Sequence, residues 1–194
     1  MADIPSTRAS LLIRLRDRLD QEAWREFVGL YAPLVYRFAR RRGLQDADAA
    51  DLTQEVLRSV ACSVAAFDPG KGLFRGWLFT LVHRRLYDLQ QVSRRQPVAA
   101  GNDATQQLLD EVPAPDDEDF WNREYERQLF AMAAERIRPT VNDATWQSFY
   151  LTAVGGKTPA EVAKVLGGSV AAVYLAKSRI MVKLKAEIAR MNAE

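Results

Sequence analysis

Among 194 residues there is one cysteine and one histidine. A lone cysteine, Cys62, excludes an intrachain disulfide and any cysteine-based zinc site. A lone histidine, His83, has no second histidine or cysteine to work with, so catalytic dyads and histidine-rich metal sites drop out. No metal and no cofactor is expected, and the chain does not read as an enzyme. Long apolar runs are also missing. None approaches the roughly 20 residues that span a bilayer. The start, "MADIPSTRAS", lacks the basic-then-apolar pattern of a signal peptide. The expectation is a cytoplasmic protein with no membrane insertion. "DPGKG" at 68–72 has neither the Walker spacing nor a Ser/Thr after its lysine, so it is not a phosphate loop of that kind.

What is present is helical periodicity and a pattern of charge. The composition, 48% hydrophobic and 27% charged, suits one globular domain or two small ones. The net charge of +2 hides three blocks. Residues 1–92 hold 14 Lys/Arg and 11 Asp/Glu; residues 93–124 hold 3 and 8; residues 125–194 hold 10 and 6. Two mildly basic blocks thus flank an acidic one, which suits phosphate backbones on either side of a linker.

In the first block, Leu11, Leu12, Leu15 and Leu19 form one stripe, and Trp24, Phe27, Val28, Tyr31, Val35 and Phe38 form the next. Pro33 is placed to bend or restart that second helix, and Gly43 to stop it. Leu52, Val56, Val60 and Val64 recur at steps of four in a third helix, with Asp46 a candidate cap and Cys62 expected to pack. "FDPGKG" breaks that helix. A fourth follows, with Phe74, Trp77, Leu78, Leu81, Val82 and Leu86 inward. Residues 93–119 lose periodicity and carry three prolines and a cluster of acids. Helix returns near Phe120, with Asn142 or Asp143 as a later cap and Gly155-Gly156 as a stop. The predicted fold is all-α: a helical domain over 1–92, a flexible acidic linker over 93–119, and a helix-turn-helix domain over 120–194.

Three stretches carry candidate chemistry. In "TPAEVAKVLGGSVAAVYLAKSRI" (158–180), Gly167 can supply a left-handed turn and Ser169 a cap for the next helix. Val173 and Ile180 point inward. Ala171, Ala172, Tyr174, Leu175, Ser178 and Arg179 face outward, with Lys177 near the boundary. Small alanines permit close approach to a groove and its thymine methyls, while Tyr174, Lys177, Ser178 and Arg179 can bond phosphates or bases. Lys183, Lys185 and Arg190 extend the basic face. DNA binding is favoured over a hairpin that merely packs.

In "DLTQEV", Asp51, Gln54, Glu55 and, one turn on, Arg58 form a polar face opposite an apolar one. That is either a solvated surface or a docking surface. In "FDPGKGLFRGWLFTLVHRR", a Pro/Gly loop with Asp68, Gly70 and Lys71 precedes a helix bearing Phe74, Arg75, Arg84 and Arg85. Aromatic and basic residues interleaved this way can hold unstacked bases. Trp77 reads better as core, whereas the loop and Arg75 read better as nucleic-acid contacts.

Taken in order, "DLTQEV", "FRGWL" and "EVAKVLGGSVAAVYLAKSR" resemble the sigma factors of bacterial RNA polymerase, in the two-domain extracytoplasmic-function (ECF) type of the sigma-70 family. The resemblance covers nearly the whole chain. It implies a dissociable subunit that binds core RNA polymerase and directs promoter-specific initiation. Asp51, Gln54, Glu55 and Arg58 match the polymerase-docking helix. Asp68, Gly70, Lys71, Phe74, Arg75, Arg84 and Arg85 fall where the family captures the opened −10 non-template strand. Ser169, Ala171, Ala172, Tyr174, Leu175, Lys177, Ser178 and Arg179 fall on the reader of the −35 duplex. The acidic linker matches the segment that the family threads toward the polymerase active site. An anti-sigma factor is a further candidate partner. Tyr174 and Gly168 depart from the family pattern, which more often has a basic or polar residue and an aliphatic there. The alternative is a helix-turn-helix repressor that works without polymerase.

Overall fold

In a computed structural model that describes residues 7–95 and 115–192, no strand occurs among the described residues and every regular element is helical. The chain divides into two compact units, one reaching to Gln128 and the other running from Leu129.

The first unit begins with α1 (Ala9–Arg14), which buries Leu11. The helix ends before Leu15, which is itself buried, so the four-residue repeat does not continue and Leu19 is left 86% exposed rather than inward. Arg14 grips the Asp20 carboxylate at 2.7 and 2.9 Å, and Asp20 accepts from the Ala23 amide to cap α2 (Gln21–Arg41). The guanidinium and that amide hold the Asp20 carboxyl below its usual range.

α2 runs unbroken through Pro33. A helical proline has no N–H to offer the carbonyl four residues back. Here that carbonyl belongs to Gly29, and it accepts instead from Gln128 Nε2 at 2.9 Å. Gly43, at φ 86°, lies just past the helix end as expected.

α3 (Asp46–Ser63) buries Leu52, Val56 and Val60. Gln45, not Asp46, stands at its cap position. Asp46 is the first helical residue, paired with Arg40 at 3.0 Å and accepting from the Tyr36 hydroxyl. Cys62 is exposed rather than packed. It lies two residues, about 200° of helix, from the buried Val60. α4 (Phe74–Arg95) buries Phe74, Leu78, Val82 and Leu86, one residue per turn.

α5 (Pro115–Ile137) divides between the units. Its first part, through Gln128, packs on α2 and α4. Trp121 lies edge-on to Phe38 at 5.6 Å and near Phe79 at 5.5 Å, and Tyr125 lies 5.7 Å from Tyr31. Arg42 pairs with the buried Asp117 at 2.7 Å, and Arg37 reaches Glu124 and Gln128.

This differs from the expected division. Residues 96–114 of the linker lie outside the described residues, but 93–95 close α4 and 115–119 open α5. Asp116, Asp117 and Glu118 fall in the first turn of a helix, where its dipole favours negative charge. Residues 120–128, assigned by sequence to the C-terminal domain, complete the N-terminal core.

In the second unit, α5 contributes Leu129, Ala133 and Ile137, again at steps of four. Asn142 caps α6 (Asp143–Ala153) by accepting from the Thr145 amide, and Gly156 turns the chain at φ 66°. A capping box between Thr158 and Glu161 starts α7 (Pro159–Leu166), with Pro159 in the first turn. Gly167, at φ 65°, ends it, and Ser169 accepts from the Ala172 amide to start α8 (Val170–Asn192). The two helices meet at 105°, within the range of helix-turn-helix motifs. Val162, Ala163 and Val173, with Leu151 against them, fill the angle.

Candidate nucleic-acid interfaces

The outward face of α8 follows from its inward one. Val173, Ala176, Ile180 and Leu184 are buried at spacings of three and four. That leaves Ala171, Ala172, Tyr174, Leu175, Ser178 and Arg179 exposed, as the sequence places them, and Lys177, expected near the boundary, exposed with them. Ser169 stands just before the helix with its oxygen engaged as the cap. The extended basic face is narrower than expected. Lys183 donates to the Thr140 carbonyl and hydroxyl at 3.2 and 3.1 Å, and Arg190 grips Glu187 at 2.7 Å. Arg190 and Arg136 together hold the Glu187 carboxyl below its usual range. Lys157 and Lys164, which the sequence reading did not single out, stand exposed before and on α7. The first helix of such a motif crosses the DNA backbone, and that rule pointed to them.

On α3, Asp51, Gln54 and Arg58 are exposed, and Glu55 is partly so. Glu55 forms an ion pair with Arg58 one turn on. The four residues make a continuous polar face opposite Leu52, Val56 and Val60.

Between α3 and α4 the chain forms a braced turn, not a slack loop. Asp68 accepts from the Gly70 amide at 2.9 Å, Pro69 to Lys71 form a short 3-10 helix, and Gly72 adopts φ 143°. The turn and the start of α4 enclose an open groove of about 580 Å³. Phe67, Lys71, Leu73, Gly76, Trp77 and Thr80 are among its walls. Phe67 and Trp77 bring their rings within 5.6 Å of each other. Trp77 is only partly buried, so it serves the core and the groove together. A second, apolar cavity of about 240 Å³ lies between α1 and the other side of the turn.

The structure divides the residues expected on the −10 strand. Asp68 and Lys71 line the groove, and Gly70 lies in the turn beside it. Arg84 is exposed one turn beyond Thr80. Phe74 is 3% exposed and packs among Phe27, Tyr31, Phe67 and Trp77. Arg75 is 7% exposed; its guanidinium donates to Asn122 and lies 4.4 Å from the Tyr125 ring centroid. Arg85 donates twice to the Ser59 hydroxyl, tying α4 to α3. These three hold the unit together instead of facing the groove. For Arg75 the reason is α5, which covers that side of α4. Gly76 and Thr80 were not foreseen as groove residues. A glycine inside a helical pattern was the available signal.

No group of His, Cys, Asp and Glu among the described residues could hold a metal ion. No single helix among them is long and apolar enough to cross a membrane.

Residues 27–96 match the family described as Sigma-70 region 2. The ECF RNA polymerase sigma factor SigE of Mycolicibacterium smegmatis is 36% identical over 100 residues, spanning 52% of this chain and 37% of that protein. Two similar proteins align over greater lengths. RNA polymerase sigma factor NccH of Alcaligenes xylosoxydans xylosoxydans is 27% identical over 86% of this chain and 87% of its own. ECF RNA polymerase sigma factor RpoE of Cereibacter sphaeroides is 24% identical over 88% and 91%.

Proposed function

The chain belongs to the sigma-70 family, as a member of its extracytoplasmic-function type, and from that premise we propose how its surfaces share the work of transcription initiation. The outward face of α3, with Asp51, Gln54, Glu55 and Arg58, docks on core RNA polymerase. The outward face of α8 binds the −35 element as duplex, with Lys177 and Arg179 on phosphates and Ala171, Ala172 and Tyr174 toward the base edges. The groove beside the Asp68–Gly72 turn takes an unpaired base of the −10 non-template strand. Phe67 and Trp77 offer ring faces there, and Lys71 offers a cation for the phosphate. Opening then needs no bond chemistry from this chain. The groove accepts single strand and excludes duplex, so binding shifts the population toward open DNA.

The observation that carries this reading is the groove itself. A duplex reader working alone has no use for an aromatic-walled recess in a separate unit. The test is promoter opening by the reconstituted holoenzyme, read as permanganate reactivity of thymines near the start site. Lys71→Ala should retain polymerase binding and protection of the −35 region while losing reactivity on duplex templates. Transcription should return on a template melted in advance. Opening equal to that of the unaltered protein would sink the groove assignment. Tight sequence-specific DNA binding without any affinity for core polymerase would favour the repressor instead.

A further inference from the structure

Gly76 is the third residue of α4. Glycine weakens a helix relative to alanine, because it leaves more backbone freedom to lose on folding. A fold tolerates one where a side chain would collide or where the backbone needs positive φ. Other glycines of this chain show both reasons. A Cβ on Gly155 would stand 3.0 Å from the Leu151 carbonyl oxygen, and Gly167 holds φ 65°. Neither reason applies at Gly76. Its backbone is helical, and a Cβ built there meets no heavy atom within 4 Å. The space it leaves empty belongs to the groove, whose wall it forms with Trp77 and Thr80. Thr80 keeps that wall low, since its hydroxyl turns back to donate to the Gly76 carbonyl at 3.0 Å.

We propose that Gly76 sets the aperture of the groove: with no side chain there, a flat nucleobase can lie against α4 beside Trp77, with its phosphate toward Lys71. This rests on the reading of the groove as the single-strand site and makes it specific. Gly76 is the residue whose size decides whether, and which, unpaired base enters. A side chain at this position occupies the base's place without touching the core.

The test sets stability against function. Gly76→Ala and Gly76→Leu should both fold, with melting temperatures between that of the parent and roughly 5 °C above it. Their affinity for core polymerase should not change. Promoter opening by the holoenzyme should fall in the order Gly, Ala, Leu, by about 10-fold or more for Leu. Binding of the holoenzyme to a labelled pool of random single-stranded DNA should fall in the same order. A purely structural glycine would give the opposite pattern, with lower stability and activity falling only in step with it. Equal opening in all three proteins overturns the proposal. Unfolding of Gly76→Leu overturns it too, since the space was then never open. If Lys71→Ala impairs opening while Gly76→Leu does not, the groove stands and only the aperture fails. If neither impairs opening, the groove reading fails with it.

Discussion

On α8, Tyr174, Leu175, Lys177, Ser178 and Arg179 stand in solvent, while Val173, Ala176 and Ile180, interleaved with them, hold the helix to its unit. At the groove the same residues do both jobs. Asp68 lines it and caps the turn; Phe67 and Trp77 line it and pack on Phe74. On the proposed assignments, the difference follows from what each surface would bind. A duplex presents its grooves outward, so a convex helix reaches them, and its outer residues can vary without cost to the fold. An unpaired base must be taken in, so its receptor needs walls, and walls come from the core. Substitutions on α8 should therefore separate binding from stability, and near the groove only positions outside the core, such as Lys71 and Gly76, should do so.

The largest effect expected on the stability side concerns Trp121, which is 1% exposed against Phe38 and Phe79. Trp121→Ala should cost the first unit about 3–5 kcal/mol, as for other large core aromatics. Calorimetry should show that unit's transition fall while the helix-turn-helix transition stays in place. A truncation ending at residue 95 should melt low for the same reason. Unchanged melting in either protein would mean that α5 is not part of that core. Arg75→Ala belongs here as well. Its guanidinium serves Asn122 and Tyr125, so loss of opening in that variant would report lost structure before lost DNA contact.

The outward face of α3 resembles α8 in having residues to spare. Asp51→Arg with Glu55→Arg should leave helix content intact and weaken binding to core polymerase by at least roughly 100-fold, as like charge meets a surface built for acceptors. A titration against core enzyme with unchanged affinity would remove docking from this face. On α8, Lys177→Ala with Arg179→Ala should keep stability within about 0.5 kcal/mol. Affinity for the −35 duplex should drop about 10-fold, and the slope of log affinity against log salt should flatten by about 2, since two phosphate contacts release fewer counterions. An unaltered slope would place the phosphate contacts elsewhere.

How far the sequence revealed this contrast depends on the element. The helix-turn-helix was legible nearly to the residue because its signals are local. Gly167 turns, Ser169 caps, and a four-residue repeat separates inside from outside. The polar face of α3 was legible for the same reason, though not its role. The groove was legible only in part. "DPGKG" marked a break, but periodicity cannot tell which side of α4 another helix will cover. Arg75 and Arg85 therefore read as surface charges although one is buried under α5 and the other bound to Ser59. The division at Gln128 left no mark at all. Trp121, Tyr125, Leu129, Ala133 and Ile137 continue one stripe at steps of four, and nothing in that repeat says that its first two members pack in one unit and its last three in another.

The smallest effect expected separates the units by pH. His83 is the chain's only histidine, and it lies in the first unit with its ring 4.4 Å from Phe79 and 5.3 Å from Phe38. Its Nε2 is buried with no hydrogen-bond partner among the described residues. Burial, with help from the Arg42 charge and against the pull of Asp117, lowers its proton affinity below that of an ordinary histidine. The unfolded chain then binds a proton more readily than the folded one. Stability from this group is complete above the ordinary value of about 6.5 and declines as pH falls from there toward the lower folded value. The second unit contains no histidine, and its depressed carboxyls, Glu161 and Glu187, lose their stabilising charge only at more acid pH. Between pH 6.5 and about 5.5, the first unit's melting temperature should therefore fall while the second unit's holds steady. His83→Phe should flatten the first unit's response in that window without altering the second. A slope that survives the substitution would mean that His83 does not set the first unit's response in that window, since a depressed carboxyl such as Asp20, like Glu161 and Glu187, titrates only at more acid pH.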